Sequence, residues 1–196
     1  MPDITPEFLL RLLVCYAIGS IPFAVLAMQG TGIDILKWGS GNPGFNNVLR
    51  YSKWRAVVTL LGDFGKGTLA IWLASKPGEG NPTLWTYGLA AILGHCYSPW
   101  LKFNGGKGIA TSAGVMIYLY PLYALPVLVF FAILRVAGAK LGWREAGTIA
   151  SLGAYTLFVA VLFWKEDMRS ALFGLLFLAF VTWRHRSNFQ KLFGAA

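Results

Sequence analysis

The sequence predicts an all-α membrane protein, a polytopic helix bundle, and three features of its composition support this. Of its 196 residues, 56% are hydrophobic and only 13% are charged, against about 25% charged residues in an ordinary soluble domain. Its 14 Phe, 8 Trp and 8 Tyr outnumber the 17 basic and 8 acidic residues together. Lipid is the solvent that can cover such a surface. We therefore expect one integral membrane domain over residues 1–196.

Apolar stretches long enough for membrane-spanning helices occur along the whole chain. They cover residues 8–28, 56–74, 84–97, 109–139, 146–164 and 170–183. One helix over residues 109–139 would be about 46 Å long, well beyond a hydrocarbon core of about 30 Å. Because Pro121 and Pro126 lie inside this stretch and proline interrupts helices, we divide it near Pro121. The sequence thus predicts seven spans.

The distribution of basic residues favours seven spans, with the N-terminus outside and the C-terminus in the cytoplasm. Cytoplasmic loops of membrane proteins collect Lys and Arg. Seven spans place 11 of the 17 basic residues in the cytoplasm and three outside, with three inside spans. Keeping residues 109–139 as one span would leave eight inside against six outside. Since the basic residues form no single polar face, we expect no nucleic-acid partner.

Residues 39–50 form the first of three polar segments that this topology places on the cytoplasmic side. Glycine lets backbone N–H groups approach an anion, Ser and Asn add neutral donors, and Arg offers a planar fork for phosphate oxygens. An ordinary turn between spans is the alternative, but it requires neither twelve residues nor three amides. The segment predicts phosphate binding by Ser40, Gly41, Asn42, Gly44, Asn46, Asn47 and Arg50.

The second polar segment, residues 94–111, contains Gly-Gly-Lys-Gly followed by an apolar helix with an early threonine. This is the arrangement in which a lysine and a helix N-terminus share an anion. The Walker A spacing is missing and no strand precedes the glycines, so nucleotide hydrolysis is not expected. An interfacial anchor would explain the lysine but not the glycines. The candidate residues are His95, Gly105, Gly106, Lys107, Gly108 and Thr111.

The third polar segment is divided between residues 145–151 and 184–188. His185 and Asn188 are three residues apart, so they share a face if the last span continues as a helix. An interfacial anchor is an equally good interpretation of a histidine beside two arginines. Thr148 is a further candidate, and the role of Glu145 stays open.

Two charged residues lie inside a predicted span. Asp63 and Lys66 are three apart, and we expect them to pair because unpaired charges in a membrane are costly. A structural role is the first interpretation of this pair, and a ligand contact is the second. Gly62, Gly65 and Gly67 beside them predict close helix contacts. Cys15 and Cys96 lie in apolar runs and match no metal-ligand spacing, so no metal site is predicted.

Together these motifs resemble the bacterial acyl-phosphate:glycerol-3-phosphate acyltransferase family, often called PlsY. The resemblance implies a seven-span inner-membrane enzyme with its active site in the cytoplasm. It implies acyl transfer from acyl phosphate to glycerol 3-phosphate, giving lysophosphatidic acid and phosphate, as the first acylation of phospholipid synthesis. It implies neither acyl-CoA nor a metal or other cofactor. The motifs, in chain order, are Ser40-Gly41-Asn42 with Gly44, Asn47 and Arg50; Gly62-Asp63-Phe64 with Lys66-Gly67; Leu93-Gly94-His95; Gly105-Gly106-Lys107-Gly108 with Ala110-Thr111; and Arg184-His185-Arg186 with Asn188.

The chain departs from this family pattern at two places. Phe45 and Asn46 stand where the family usually has Ala and Thr, so a hydroxyl is replaced by an amide and a bulky ring enters. In the third motif the family has a serine-rich stretch, and the best placement puts Thr148 and Glu145 at two of its functional serines.

The sequence also favours a particular mechanism. Some acyltransferases use a His with an Asp five residues later. This chain has no such pair, because the residue five positions after His95 is Trp100 and the one five positions after His185 is Gln190. We therefore expect substrate-assisted catalysis, in which the acyl phosphate takes the proton of the attacking hydroxyl. Positioning and electrostatics would then supply most of the acceleration.

In this scheme Ser40, Arg50, Lys107 and nearby backbone N–H groups hold the two phosphates. His185 and Asn188 orient glycerol 3-phosphate, and Thr148 donates to one phosphate. The expected partners are the two substrates and membrane lipid, and we expect the protein to act as a monomer.

A membrane transporter for a phosphorylated or anionic metabolite is the alternative function, since intramembrane charges and broken helices also mark transport sites. The chain shows no internal repeat, however, and its polar motifs gather on one side of the membrane.

Overall fold

The computed structural model describes residues 4–194, and every regular element in that range is helical, which confirms the predicted all-α class. A short 3-10 turn at Pro99–Leu101 accompanies ten α-helices. These are α1 (Pro6–Ser20), α2 (Phe23–Met28), α3 (Phe45–Tyr51), α4 (Lys53–Ala74), α5 (Asn81–Cys96), α6 (Ile109–Leu119), α7 (Pro121–Lys140), α8 (Ala146–Lys165), α9 (Met168–Arg184) and α10 (Arg186–Phe193).

The predicted spans fall largely on helical residues, and the long stretch 109–139 divides where proline predicts it. The first span, predicted as continuous over residues 8–28, is instead interrupted at Ile21 and Pro22, between α1 and α2. Helix α6 ends at Leu119 and α7 begins at Pro121. Within residues 4–194, four segments are long and apolar enough to cross a membrane, and α6 is a shorter apolar helix. The four are Pro6–Met28, Lys53–Ala74, Pro121–Lys140 and Ala146–Lys165. The count of seven spans stays a prediction.

The described residues form two compact units, within Met1–Tyr118 and within Leu119–Ala196. The first unit contains the polar segments 39–50 and 94–111. The second unit contains both parts of the third segment. The candidate residues are therefore divided between the two units.

In the first unit, glycines bring α1 and α5 into backbone contact. A Cβ atom added at Gly19 would lie 2.0 Å from the Ala91 carbonyl oxygen, and one at Gly94 would lie 2.1 Å from the Tyr16 carbonyl oxygen. The Tyr16 hydroxyl also donates to the Tyr97 carbonyl over 2.5 Å. Small residues allow this approach, which suits helices that associate in lipid.

Helices α4 and α6 meet in the same way. A Cβ atom at Gly67 would lie 2.2 Å from the Thr111 carbonyl oxygen, and one at Gly114 would lie 2.0 Å from the Phe64 carbonyl oxygen. The Thr68 hydroxyl donates to the Gly114 carbonyl over 2.8 Å. This packing fixes the start of α6, and therefore the loop that precedes it, against α4.

In the second unit, α7, α8 and α9 pack around an apolar core that includes Phe158, Leu162, Phe177 and Val181, each almost fully buried. Asp167 is the N-cap of α9, and its carboxylate accepts from the Ser170 amide over 2.7 Å. This hydrogen bond holds the pKa of Asp167 below its ordinary value.

The close contact at Gly67 can be tested against a neighbouring glycine. Gly67→Ala would push a methyl group into the Thr111 carbonyl, and such overpacking costs about 1–3 kcal/mol. Gly65 is the matched control on the same helix, because a Cβ atom there meets nothing within 4 Å. We expect Gly67→Ala to lower the unfolding temperature in detergent and Gly65→Ala to leave it unchanged or slightly higher. Equal effects would refute the proposed contact and leave Gly65 as good a packing glycine as Gly67.

Candidate active site

The loop of residues 39–44, called here the Ser40 loop, is built around the buried side chain of Asn47. The Asn47 Oδ1 atom accepts from the Ser40 amide over 2.9 Å, while Nδ2 donates to the carbonyls of Ile35 and Trp38. Asn47 is 1% exposed. Predicted as a substrate contact, it instead holds the loop with both ends of its amide.

The backbone conformation of this loop requires its glycines. Gly39 and Gly41 have φ angles of 60° and 70°, which side chains other than glycine rarely adopt. A Cβ atom at Gly39 would also lie 2.4 Å from Asn47 Oδ1. The Ser40 side chain is exposed, and its hydroxyl accepts weakly from the Asn42 amide over 3.4 Å. The loop therefore presents a hydroxyl on a braced turn.

Helix α3 follows the Ser40 loop and begins after Gly44, its N-cap. Arg50, in its last turn, and Asn46, in its first, are exposed and available to a ligand. Phe45, the bulky departure from the family pattern, is partly buried and packs against the apolar cluster around Met28 and Val48. The Phe45 ring is therefore part of the apolar packing in this unit.

The loop of residues 105–108, called here the glycine loop, is folded back on the end of α5. The Gly105 amide donates to the Cys96 carbonyl over 3.0 Å, and the Gly106 amide donates to the His95 carbonyl over 3.2 Å. These two N–H groups are therefore committed to the protein, although the sequence predicts that they bind phosphate. Gly108 is buried with a φ of 91°, whereas Lys107 between these glycines is partly exposed.

Both leading glycines are needed for this packing. A Cβ atom at Gly105 would lie 2.0 Å from the His95 carbonyl oxygen, and one at Gly106 would lie 2.2 Å from His95 Nε2. The glycines thus let the loop lie directly on His95, so that Lys107 is the member of the loop best placed to meet an anion.

His95 belongs to a buried polar network rather than to an open pocket. Its Nδ1 atom lies 3.4 Å from Asp63 Oδ1, and Lys66 Nζ lies 2.7 Å from the same oxygen. All three side chains are at least nine-tenths buried. The predicted pairing of Asp63 with Lys66 is confirmed, and His95 joins it.

This network also holds the break in the first apolar segment. Lys66 Nζ donates to the Ile21 carbonyl over 2.8 Å, at the point where α1 ends and α2 has not begun. Ser20 next to it accepts from the Ser98 hydroxyl on its carbonyl and from Trp100 Nε1 on its hydroxyl. The helix break is thereby tied to the segment that leads into the glycine loop.

Two further expectations change in the first unit. Thr111 is fully buried in the contact between α4 and α6, and no residue in the range 4–194 is hydrogen bonded to its hydroxyl. It therefore lies in the packing between helices rather than at a surface. Gly62 and Gly67 make the predicted close contacts, with the Phe23 ring and the Thr111 backbone, whereas Gly65 makes none.

In the second unit the third polar segment comes together. Glu145 Oε2 accepts from Asn188 Nδ2 over 2.5 Å and from the Thr148 hydroxyl over 3.3 Å. The Thr148 hydroxyl proton points to this carboxylate, so donation to a phosphate requires that bond to break. The sequence places Glu145 at one of the family's functional serines but leaves its role open. Its contact with Asn188 joins residues 43 positions apart, so no local spacing could predict it.

His185 lies at the junction of α9 and α10 and is buried. Its Nδ1 atom is 2.8 Å from the Val181 carbonyl, which accepts and therefore places a proton on Nδ1. The backbone N–H of Asn188 donates to the His185 carbonyl over 2.8 Å. The last span does not continue as one helix through these residues, because α9 ends at Arg184 and α10 begins at Arg186. His185 and Asn188 therefore meet at the start of α10 and not on one face of a continuous last span.

The chemistry available is that of hydroxyls, amides and cations. Within residues 4–194, no group of three or more His, Cys, Asp or Glu side chains is placed to hold a metal ion. Ser40, Arg50 and Lys107 offer the donors and positive charge that phosphate oxygens require.

The sequence matches known proteins over most of its length. The family model described as glycerol-3-phosphate acyltransferase matches residues 9–195. A glycerol-3-phosphate acyltransferase of Azotobacter vinelandii is 38% identical over 183 residues, which is 92% of this chain and 93% of the relative. One of Aromatoleum aromaticum is 40% identical over 188 residues, 95% of this chain and 93% of the relative.

The fold matches as well. The crystal structure of PlsY (YgiH), an integral membrane glycerol 3-phosphate acyltransferase, in its glycerol 3-phosphate form gives a TM-score of 0.84 at 31% identity. That match covers 96% of this chain and 92% of the other. The lysophosphatidic acid form gives a TM-score of 0.82 at 30% identity.

The membrane-length apolar helices and these matches define a multi-pass membrane protein of the acyltransferase class. More narrowly, the chain belongs to the glycerol-3-phosphate acyltransferase family, the PlsY family.

The buried charge network gives a stability prediction. Lys66→Met leaves the Asp63 carboxylate buried without its cation, and breaking a buried pair in this way costs about 3–5 kcal/mol. The double variant Asp63→Asn, Lys66→Met removes both charges, so we expect it to recover a large part of that loss. Denaturant titration in detergent micelles measures each step.

The control is the exposed pair of Lys37 and Asp34, whose charged atoms are 3.8 Å apart. Lys37→Met should leave stability unchanged, because exposed ion pairs contribute little. A double variant at Asp63 and Lys66 less stable than the Lys66 single variant would contradict the pairing argument.

Proposed function

We propose that this protein transfers a fatty acyl group from acyl phosphate to glycerol 3-phosphate, producing lysophosphatidic acid and phosphate. The observation that carries the proposal is the exposed Ser40 hydroxyl on a braced loop, followed by exposed Arg50 and accompanied by partly exposed Lys107 on the glycine loop. These groups suit phosphate, which both substrates carry. Family membership supports the acceptor, since the relatives are named for glycerol 3-phosphate.

The reaction needs no group beyond the substrates and these side chains. A hydroxyl oxygen of glycerol 3-phosphate attacks the acyl carbonyl carbon, the bond from that carbon to the phosphate oxygen breaks, and phosphate leaves. The hydroxyl proton passes to the acyl phosphate, which acts as the base. Lys107 and Arg50 stabilise the negative charge that moves onto the leaving phosphate, while Ser40 donates a hydrogen bond to a phosphate.

His185 and Asn188 orient glycerol 3-phosphate in this proposal, which brings the attacking hydroxyl into position. The acyl chain lies in the lipid phase among the helices. We further propose that all seven apolar segments span the inner membrane, with the polar segments in the cytoplasm, and that the protein acts as a monomer. The excess of Lys and Arg in the corresponding loops supports this orientation.

Donor choice tests the proposed function. Purified protein in detergent or lipid is incubated with labelled glycerol 3-phosphate and either acyl phosphate or acyl-CoA. We expect labelled lysophosphatidic acid with acyl phosphate only, because the reaction uses the donor's own phosphate as base and as leaving group. Equal rates with both donors, or no product with either, would overturn the proposal.

Substitution of Lys107 separates a catalytic residue from a membrane anchor. Lys107→Ala should lower kcat/KM by about 30- to 1000-fold, which corresponds to about 2–4 kcal/mol of transition-state stabilisation. Lys107→Arg keeps the positive charge that an anchor needs, but it replaces a compact ammonium with a planar fork beside buried glycines. We expect this variant to fold normally and to be strongly impaired.

Ser40→Ala should also impair turnover, since it removes only a hydroxyl and leaves the bond from Asn47 to the Ser40 backbone intact. Each variant is assayed after its unfolding temperature is shown to match the wild type. Near-normal turnover in both Lys107→Arg and Ser40→Ala would mean that these loops are structural.

A further inference from the structure

Glu145 adopts a backbone conformation that is rare outside glycine. Its φ and ψ are 56° and 34°, in the left-handed region. Its carbonyl accepts from the amides of Thr148 and Ile149 over 2.8 and 3.1 Å, which begins α8. A residue is kept in such a conformation when its surroundings over-determine it, and the Glu145 side chain supplies contacts of that kind.

The partly buried Glu145 carboxylate joins the start of α8 to the first turn of α10. Oε2 accepts from Asn188 Nδ2 over 2.5 Å and from the Thr148 hydroxyl over 3.3 Å. Hydrogen bonds to a charged acceptor are shorter and stronger than neutral ones. The bond to Asn188 is therefore a strong restraint on that side chain.

An asparagine amide has a donor end and an acceptor end, and the two have opposite chemistry. Because Nδ2 points to Glu145, the Asn188 Oδ1 atom is turned away from the carboxylate. An amide oxygen can accept a hydrogen bond from a hydroxyl group, but it cannot donate one to a phosphate oxygen. The negative charge of Glu145 likewise disfavours a phosphate nearby.

We propose that Glu145 is a positioning residue that fixes the orientation of the Asn188 amide, so that Oδ1 accepts from a hydroxyl of the glycerol moiety. The inference rests on the proposed function, in which Asn188 orients glycerol 3-phosphate. The proposed function assigns Glu145 no other role. Glu145 acts through Asn188 and takes no part in bond making.

Three single variants test this in the full-length protein. Glu145→Ala removes the hydrogen bond from this carboxylate to the Asn188 side chain and should raise the KM for glycerol 3-phosphate at least about tenfold, with little change in the KM for acyl phosphate. Glu145→Gln keeps a carbonyl that accepts from the same Nδ2 atom and should stay within about threefold of wild type. Glu166→Ala, at the other end of α8, is the matched control and should change neither constant.

A double-mutant cycle shows whether Glu145 acts through Asn188. If it does, the variant Glu145→Ala, Asn188→Ala should be no worse than Asn188→Ala alone. Effects that multiply would overturn the proposal. So would equal increases in the two KM values, a wild-type KM in Glu145→Ala, or a failure of Glu145→Gln to rescue.

The same cycle in unfolding temperature measures the contact without any catalysis. Coupling between Glu145 and Asn188 in that measurement supports the contact, and additive losses refute it. If the wild type transfers no acyl group, the proposed function fails and the substrate-orienting role fails with it. Turnover by the wild type without coupling would refute the Glu145 proposal alone.

Discussion

The buried ion pair of Asp63 and Lys66 is the interaction on which the rest of the first unit depends. Charges inside an apolar helix are costly unless they are paired and hydrogen bonded. Lys66 meets this condition twice, by its 2.7 Å contact with Asp63 and by its bond to the Ile21 carbonyl. That carbonyl lies between α1 and α2 and also accepts from the Phe23 amide over 3.1 Å. The pair thus adds a charged donor at the helix break, where the regular helical hydrogen bonds are interrupted.

The same pair reaches the candidate active site through His95. The imidazole lies against Asp63 on one side and against the glycine loop on the other, where Gly106 leaves room for no side chain. Here the glycines allow backbone and imidazole to pack closely, and their N–H groups are used inside the protein. In the proposed reaction, anion binding by this loop therefore falls to Lys107, whose neighbouring glycines are buried.

Much of the fold follows from local sequence, and most of the site's support does not. Hydropathy locates the apolar stretches, and the prolines divide residues 109–139, because both effects act within one segment. The break between α1 and α2 is not predicted, since it is stabilised by contacts from Lys66 and from residues 98–100. The bracing role of Asn47 and the link from Glu145 to Asn188 depend on tertiary contacts that no spacing reveals. Gly65 shows the same limit, since it shares the sequence context of Gly62 and Gly67 but makes no close contact.

Isotope tracing tests most directly whether the protein transfers an acyl group with phosphate as the leaving group. Acyl phosphate is labelled with 18O at the oxygen that joins the acyl carbon to phosphorus. It is incubated with glycerol 3-phosphate and purified protein, and the masses of the products are measured by mass spectrometry. Attack at the acyl carbon places the label in inorganic phosphate and leaves lysophosphatidic acid unlabelled. Label retained in a fatty acid or in the lipid product, or no lipid product at all, would contradict the account.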